Sequence, residues 1–247
     1  VLHRGKGANK MARNLLFEIG VEEIPARFME GSINGLVNAA KKSLKEARLD
    51  FENVRGMGTP RRLTLFVDGL AESQGDLKEE LKGPAKKAAY DSEGNPTKAL
   101  QGFLRSKGLT EEDITIKEIK GGEYIFATKE EKGEAAAKVL PELLVNMVLS
   151  LKFPKPMRWS DHELRFIRPI HWMVALFGSE ILPVKIVDVV AGDVTRSHRF
   201  YGAGDVTIES PESYVDQLRE NYVMVDPAER RAVIKEQIAA LEKEHNV

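Results

Sequence analysis

Residues 13–49, RNLLFEIGVEEIPARFMEGSINGLVNAAKKSLKEARL, change their hydrophobic spacing part-way through. The opening RNLLFEIG, residues 13–20, reads as a short strand. The cluster Glu18, Glu22, Glu23 and Pro25 closes it. Pro25 disfavours helix at Ile24 and can start one after itself. Between residues 26 and 49, Ile33, Leu36, Val37, Ala40 and Leu44 recur at helical spacing. They predict an amphipathic helix with lysines on its outer face. In RRLTLFVD, residues 61–68, Leu63, Leu65 and Val67 alternate with Arg62, Thr64 and Phe66, a strand pattern.

The same reading extends along the chain. Gly56, Gly58 and Pro60 predict a turn, and the charged stretch 72–87 a strand edge or loop. DSEGNP at 91–96 is a turn by its chemistry. Thr97 can cap a helix carrying Leu100, Phe103 and Leu104 that ends near Gly108. Residues 114–119 and 123–129 predict a hairpin around Gly121 and Gly122. A helix over 133–152 would bury Val139, Leu140, Leu143, Leu144, Met147 and Val148, and Pro154 and Pro156 stop it. Residues 166–177 read as a mixed segment with a short helix after Pro169, and 184–190 as a strand. Beyond Thr207, residues 211–220 and 227–245 are charged helix patterns. Strands and helices mix without regular βαβ alternation, so the expected class is α+β, a mixed sheet with packed helices. The expected organisation is a leader or expression remnant over 1–10 ahead of Met11, an α+β region over 11–207, and the start of a helical region over 208–247.

Composition narrows the function classes. The 247 residues are 42% hydrophobic and 30% charged, as in a globular chain with a core. No apolar run approaches the roughly 20 residues that span a bilayer. The best candidate, 139–151, is broken by Pro141, Glu142 and Asn146. With no cysteine, disulfides, thiolate catalysis and cysteine–zinc sites are excluded. The net charge of −1 by itself speaks against a nucleic-acid partner, so any RNA contact needs a local concentration of cations. There is no phosphate-binding loop, dinucleotide fingerprint, metal-binding histidine pair or nucleophile elbow. No catalytic residue and no metal ligand is assigned.

Four stretches carry chemistry. KFPKPMRWSDHELRFIRPIHW, residues 152–172, holds Lys152, Lys155, Arg158, Arg165 and Arg168 against Asp161 and Glu163. It also contains both tryptophans, Trp159 and Trp172, and His162 and His171. Cations neutralise phosphates and aromatic faces stack on unpaired bases, which suggests an RNA surface. The structural alternative is a buried aromatic cluster with its arginines ion-paired. In TRSHRFYG, residues 195–202, Arg196, His198 and Arg199 stand beside Phe200 and Tyr201. That loop can present cations to phosphate, or His198 can be a structural histidine bonded to backbone. In TPRR, residues 59–62, Arg61 and Arg62 point to opposite faces of a strand, so one can meet a partner or RNA while the other pairs locally. In FEIGVEEIP, residues 17–25, Glu18, Glu22 and Glu23 could serve acid–base work, but carboxylates at a strand end more often cap a helix or pair with arginine.

Taken in order, LLFEIGVEEIPARF, GTPRRL, KGPAKKAAYDSEGNPTKALQGFLRSKG, FPKPMRWSDHELRFIRPIHWMVALFG and TRSHRF resemble the bacterial glycyl-tRNA synthetase β-subunit family. Val21 stands where that family commonly has threonine, and Ser197 where it has glycine. The resemblance covers residue 12 to about residue 247 and implies the N-terminal third of a longer chain. It also implies an α2β2 assembly with a separate α subunit that activates glycine using ATP and Mg2+. The β chain would then be a non-catalytic, cytoplasmic contributor to tRNA(Gly) recognition, with no DNA or membrane partner and no cofactor of its own in this region. The implied fold is similar to the B3/B4-type module of the phenylalanyl enzyme. On this reading Lys155, Arg158, Trp159, Arg165, Arg168, Arg196, His198 and Arg199 are the tRNA-binding candidates, with Arg61 and Arg62 as further tRNA or subunit contacts. Two alternatives stay open: an editing-type hydrolase on mischarged tRNA, with a base near His198 or Glu22, and a purely structural interaction domain.

Overall fold

The computed structural model describes residues 12–91, 93–119 and 122–245. The expected leader and Met11 lie outside them, as do Ser92 and Gly121 of two expected turns. The described residues divide into two compact units, 75–133 and a unit formed by 12–74 with 134–245.

The smaller unit contains strands β4 (Leu77–Ala85), β5 (Ile114–Ile119) and β6 (Gly122–Glu131) in the antiparallel order β4-β6-β5. Helices α2 (Lys86–Ala89) and α3 (Lys98–Lys107) complete it, and Ala89, Leu100, Leu104 and Ile125 form its core. Two expectations for this unit change in detail. The charged stretch 72–87 contains a true strand, β4. Thr97 precedes α3 without capping it: its hydroxyl donates instead to the Ala88 and Ala89 carbonyls, at 2.6 and 3.1 Å. The left-handed Gly108 closes α3 as expected.

The larger unit is built on a five-stranded sheet in the order β2-β3-β1-β7-β8. Its strands are β1 (Ala12–Val21), β2 (Asn53–Thr59), β3 (Arg62–Ala71), β7 (Ile170–Phe177) and β8 (Glu180–Ile181). All are paired antiparallel. Helices α1 (Ala26–Glu46) and α4 (Ala136–Ser150) cover one face. The core there joins Leu15, Phe17 and Ile19 of β1, Leu63, Leu65 and Val67 of β3, and Met173, Ala175 and Phe177 of β7 to the helices. Leu36, Ala40 and Leu44 of α1 and Leu140 and Leu144 of α4 supply the helical side of that core. The short strands β9 (Lys185–Ile186) and β10 (Val189–Val190) replace the single strand expected over 184–190, because the chain turns back at Val187.

The opposite face carries Leu16, Met57, Phe66, Val174 and Leu176. Over it lie Val206 of β12 (Asp205–Thr207), which pairs with β11 (Val194–Arg196), and Tyr214 and Leu218 of α5 (Tyr214–Glu220). The last helix, α6 (Pro227–His245), buries no residue.

Two segments correct the sequence reading. The short helix expected after Pro169 is strand β7. It is covered on both faces, so its apolar residues form a continuous run and the alternation of a strand is hidden. Of the turn expected at Gly56, Gly58 and Pro60, the chain turns at Pro60 and Arg61, while Gly56 and Gly58 lie within strand β2. A Cβ on Gly56 would lie 2.5 Å from Ile33 Cγ2, so this glycine permits α1 to pack close against the sheet.

Candidate functional site

Strand alternation places Glu18 on the second face of the sheet, between Leu16 and Gly20. The side chain is fully buried. A buried carboxylate is costly unless it is paired and hydrogen-bonded, and this one is both. Trp172 Nε1–H donates to Glu18 Oε1 at 2.5 Å, the Thr195 hydroxyl donates to the same oxygen, and the Tyr214 hydroxyl donates to Oε2. Burial, and then the Glu18 charge, push the Tyr214 hydroxyl well above its ordinary pKa. Tyr214 therefore keeps its proton and directs it to Glu18. The Thr64 hydroxyl, 2.9 Å from Tyr214 O, is then the donor in that pair.

Arg62 supplies the countercharge. Its Nε lies 3.8 Å from Glu18 Oε2, within ion-pair reach but too long for a hydrogen bond. Nη2 donates to the Arg196 carbonyl at 2.7 Å. Nε and Nη1 are buried with no hydrogen-bond partner, and so is Nε of the adjacent Arg61. Both guanidinium groups lie over the Trp172 ring, at 5.7 Å for Arg61 and 5.8 Å for Arg62. The ring itself rests on Gly20, where a Cβ would come within 2.0 Å of it. Burial lowers the Arg61 pKa, and the nearby Arg199 cation lowers it further.

The loop from β11 to β12 brings the next group of side chains. Ser197 N–H donates to the Gly204 carbonyl at 2.7 Å, and its Oγ accepts from Gly204 N–H at 2.8 Å. The serine thus pins both ends of the loop. His198 Nδ1 accepts from the N–H groups of Phe200 and Tyr201, at 3.2 and 3.3 Å, so the ring proton is assigned to Nε2. The loop exposes Phe200 and Tyr201 at its tip. Arg199 reaches Glu22 at 3.5 Å and Glu23 at 3.7 Å, and His171 Nε2 lies 3.2 Å from Glu22. For Glu22, burial raises the pKa, but the Glu23 backbone N–H, His171 and Arg199 outweigh it, and the net shift is downward.

These pieces border one cleft of about 620 Å³. The 59–62 turn, the 197–200 loop, residues 222–224 and one side of α6 line it. Arg61, Arg62, Arg199 and Arg230 face it, with Glu23 as the one carboxylate in the lining. Such a space is suited to an anionic group that also has apolar surface.

The sequence candidates divide between two places. Arg61, Arg62, His198 and Arg199 line the cleft. Arg168 is anchored beside it by donating to the Glu23 carbonyl at 3.0 Å. Arg196 is paired with Asp205. Lys155, Arg158, Trp159 and Arg165 belong to the 151–169 segment instead, whose Phe153, Trp159, Leu164 and Phe166 pack into the helix-covered core. Arg158 is paired with Glu163 at 3.2 Å, while Lys155 and Arg165 are exposed, with no ion pair among the described residues. Trp159 is partly buried against that core. Sequence reading missed Tyr222 and Arg230, which have no local motif. It named Glu18 only as part of an acidic cluster, although a charge inside an apolar strand was itself the signal.

Comparison with known proteins bears on the motifs assembled here. A family model described as glycyl-tRNA synthetase beta subunit matches residues 15–247. The chain belongs to the glycyl-tRNA synthetase β-subunit family. Curated family members named glycine–tRNA ligase beta subunit include those of Desulfitobacterium hafniense strain Y51 and Moorella thermoacetica. Each is 49% identical over 94% of this chain. The Clostridioides difficile member is 44% identical over 92%. The chain spans about a third of the length of these relatives, 33% in each case. Among the described residues no helix is long and apolar enough to cross a membrane, and no group of three or more histidine or carboxylate side chains is arranged to hold a metal.

Proposed function

We propose that the chain serves in a two-subunit glycine–tRNA ligase as a non-catalytic part of the β subunit that recognises tRNA(Gly). The α subunit would activate glycine with ATP and Mg2+ in a cytoplasmic α2β2 enzyme, and no residue of this chain is assigned to either cofactor. Family membership supports the subunit. The observation that carries the recognition role is the arginine cleft: four guanidinium groups face it, and three nitrogens of Arg61 and Arg62 are buried without a hydrogen-bond partner. Donors taken out of water and left unsatisfied favour an acceptor, and a phosphate backbone supplies acceptors with matching charge.

We favour recognition over editing because the groups an editing site would use are engaged. His198 Nδ1 already accepts two backbone N–H groups, and Glu22 is paired with His171 and Arg199. The test uses full-length β subunit carrying Arg61→Ala and Arg199→Ala, assembled with the α subunit. The KM for tRNA in glycylation should rise roughly tenfold or more, the scale expected when one or two charge-assisted hydrogen bonds are removed. Glycine-dependent ATP–pyrophosphate exchange should hold its rate. An unchanged KM for tRNA in a folded variant would defeat the assignment.

A further inference from the structure

The cleft has an apolar side as well as a cationic one. Phe200 is 82% exposed and Tyr222 64% exposed, and both lie in its lining. Exposed rings gathered in one patch, unlike single ones, mark an interaction surface. The rings also form a chain: His198 and Tyr201 have centroids 4.8 Å apart at 31°, and Tyr201 and Tyr222 are 6.0 Å apart. Tyr222 has φ of 61°, in the left-handed region where glycine is usual after a helix, and here it follows α5. Its backbone meets the α5 C-terminus as a glycine would, with the Tyr222 N–H donating to the Arg219 carbonyl at 3.0 Å. A tyrosine held there puts a ring beside the cleft at a cost in backbone energy.

Opposite the rings stand the buried donors. Arg62 is 2% exposed and faces the cleft with Nη1 unpartnered. Arg61 and Arg199 line the same cleft, and Arg61 holds its proton less firmly than usual because of its burial first and the Arg199 cation second. An anion between them would relieve both effects.

We propose that this cleft holds one unpaired nucleotide of an RNA strand, its phosphate against Arg61 and Arg62 and its base against Phe200 and Tyr222. A nucleotide fits both walls at once, because a phosphate takes the guanidinium donors and a base presents a flat face to the rings. A base-paired helix cannot do so, since its bases are stacked on one another. The inference rests on the tRNA-recognition reading and adds to it the form of RNA that the cleft selects.

The test uses the full-length β subunit assembled with the α subunit and three labelled probes: a short single-stranded oligoribonucleotide of mixed sequence, a blunt RNA duplex of the same length, and tRNA(Gly). Binding is followed by fluorescence anisotropy across a salt series. The single strand should bind more tightly than the duplex. Phe200→Ala, a change at an exposed side chain that spares the core, should weaken single-strand binding roughly tenfold, the scale of removing one base stack, and leave the salt slope as it was. Arg61→Ala should flatten that slope. If tRNA binds but Phe200→Ala holds the single strand as tightly as the parent does, the nucleotide site is overturned and the recognition reading survives. If a glutamate-rich peptide displaces the single strand at equal charge concentration, the cleft is a general anion site and the proposal fails. If tRNA(Gly) itself does not bind, the recognition reading falls and takes this one with it.

Discussion

The two faces of the five-stranded sheet solve burial differently. Under α1 and α4 the sheet is covered by aliphatic and aromatic side chains, and cohesion there comes from removing apolar surface from water. On the other face an apolar patch under α5 and β12 adjoins a buried polar network of Glu18, Thr64, Trp172, Thr195, Tyr214 and Arg62. The first face is satisfied within itself. The second keeps unpartnered guanidinium nitrogens at the edge of a cleft. The difference separates a face that stabilises from a face that stabilises and also has binding capacity left over.

The largest effect should come from the polar face. Glu18→Ala strands the Arg62 charge and removes the acceptor for three donors, so it should cost about 3–5 kcal/mol in equilibrium denaturation. Replacing Glu18 and Arg62 together by leucine should cost less than Glu18→Ala, because no charge is stranded. If the pair of changes costs more than the single one, the network is not the electrostatic unit described. Leu140→Ala on the apolar face should cost roughly 2–5 kcal/mol through cavity formation and leave RNA binding alone once the protein is folded. Arg61→Ala should change stability by under about 1 kcal/mol, on the favourable side, since it removes a cation disfavoured by burial and then by the Arg199 charge.

The smallest effect concerns pH. Glu22 has a lowered pKa when folded, so its contribution to stability is present above the unfolded value near 4.5 and is lost as pH falls through the folded value. Glu22→Gln should reduce the acid-side slope of stability against pH over that window and do little at neutrality. An identical slope in parent and variant would mean that Glu22 has no part in holding the cleft rim.

Much of the fold was legible because its periods are clean. Helix α1 announces itself through Ile33, Leu36, Val37, Ala40 and Leu44, and β3 through Leu63, Leu65 and Val67. Strand β7 was hidden because both its faces are buried, and β2 because its glycines, which look like a turn, serve close packing. At the site, the paired arginines of TPRR and the cations of TRSHRF could be singled out one motif at a time. What could not be read was which motifs meet. The 152–172 stretch reads either as a basic RNA surface or as a buried aromatic cluster, and its two tryptophans part company: Trp159 packs into the helix-covered core while Trp172 lies under the arginines on the opposite face. Tyr222 and Arg230 reach the cleft only through the path of the chain after α5, which no local pattern encodes.

If cations from separate stretches act together on one polyanion, salt should report it. The most direct measurement is the slope of log K against log salt for tRNA(Gly) binding, in the presence of the α subunit. The parent chain is to be compared with Arg61→Ala/Arg199→Ala and with Lys155→Ala/Arg165→Ala. The cleft pair should flatten the slope by roughly one to two, about one for each phosphate no longer neutralised, and by more than the pair on the 151–169 segment. Equal slopes for the parent and the cleft pair, with the fold intact, would contradict it.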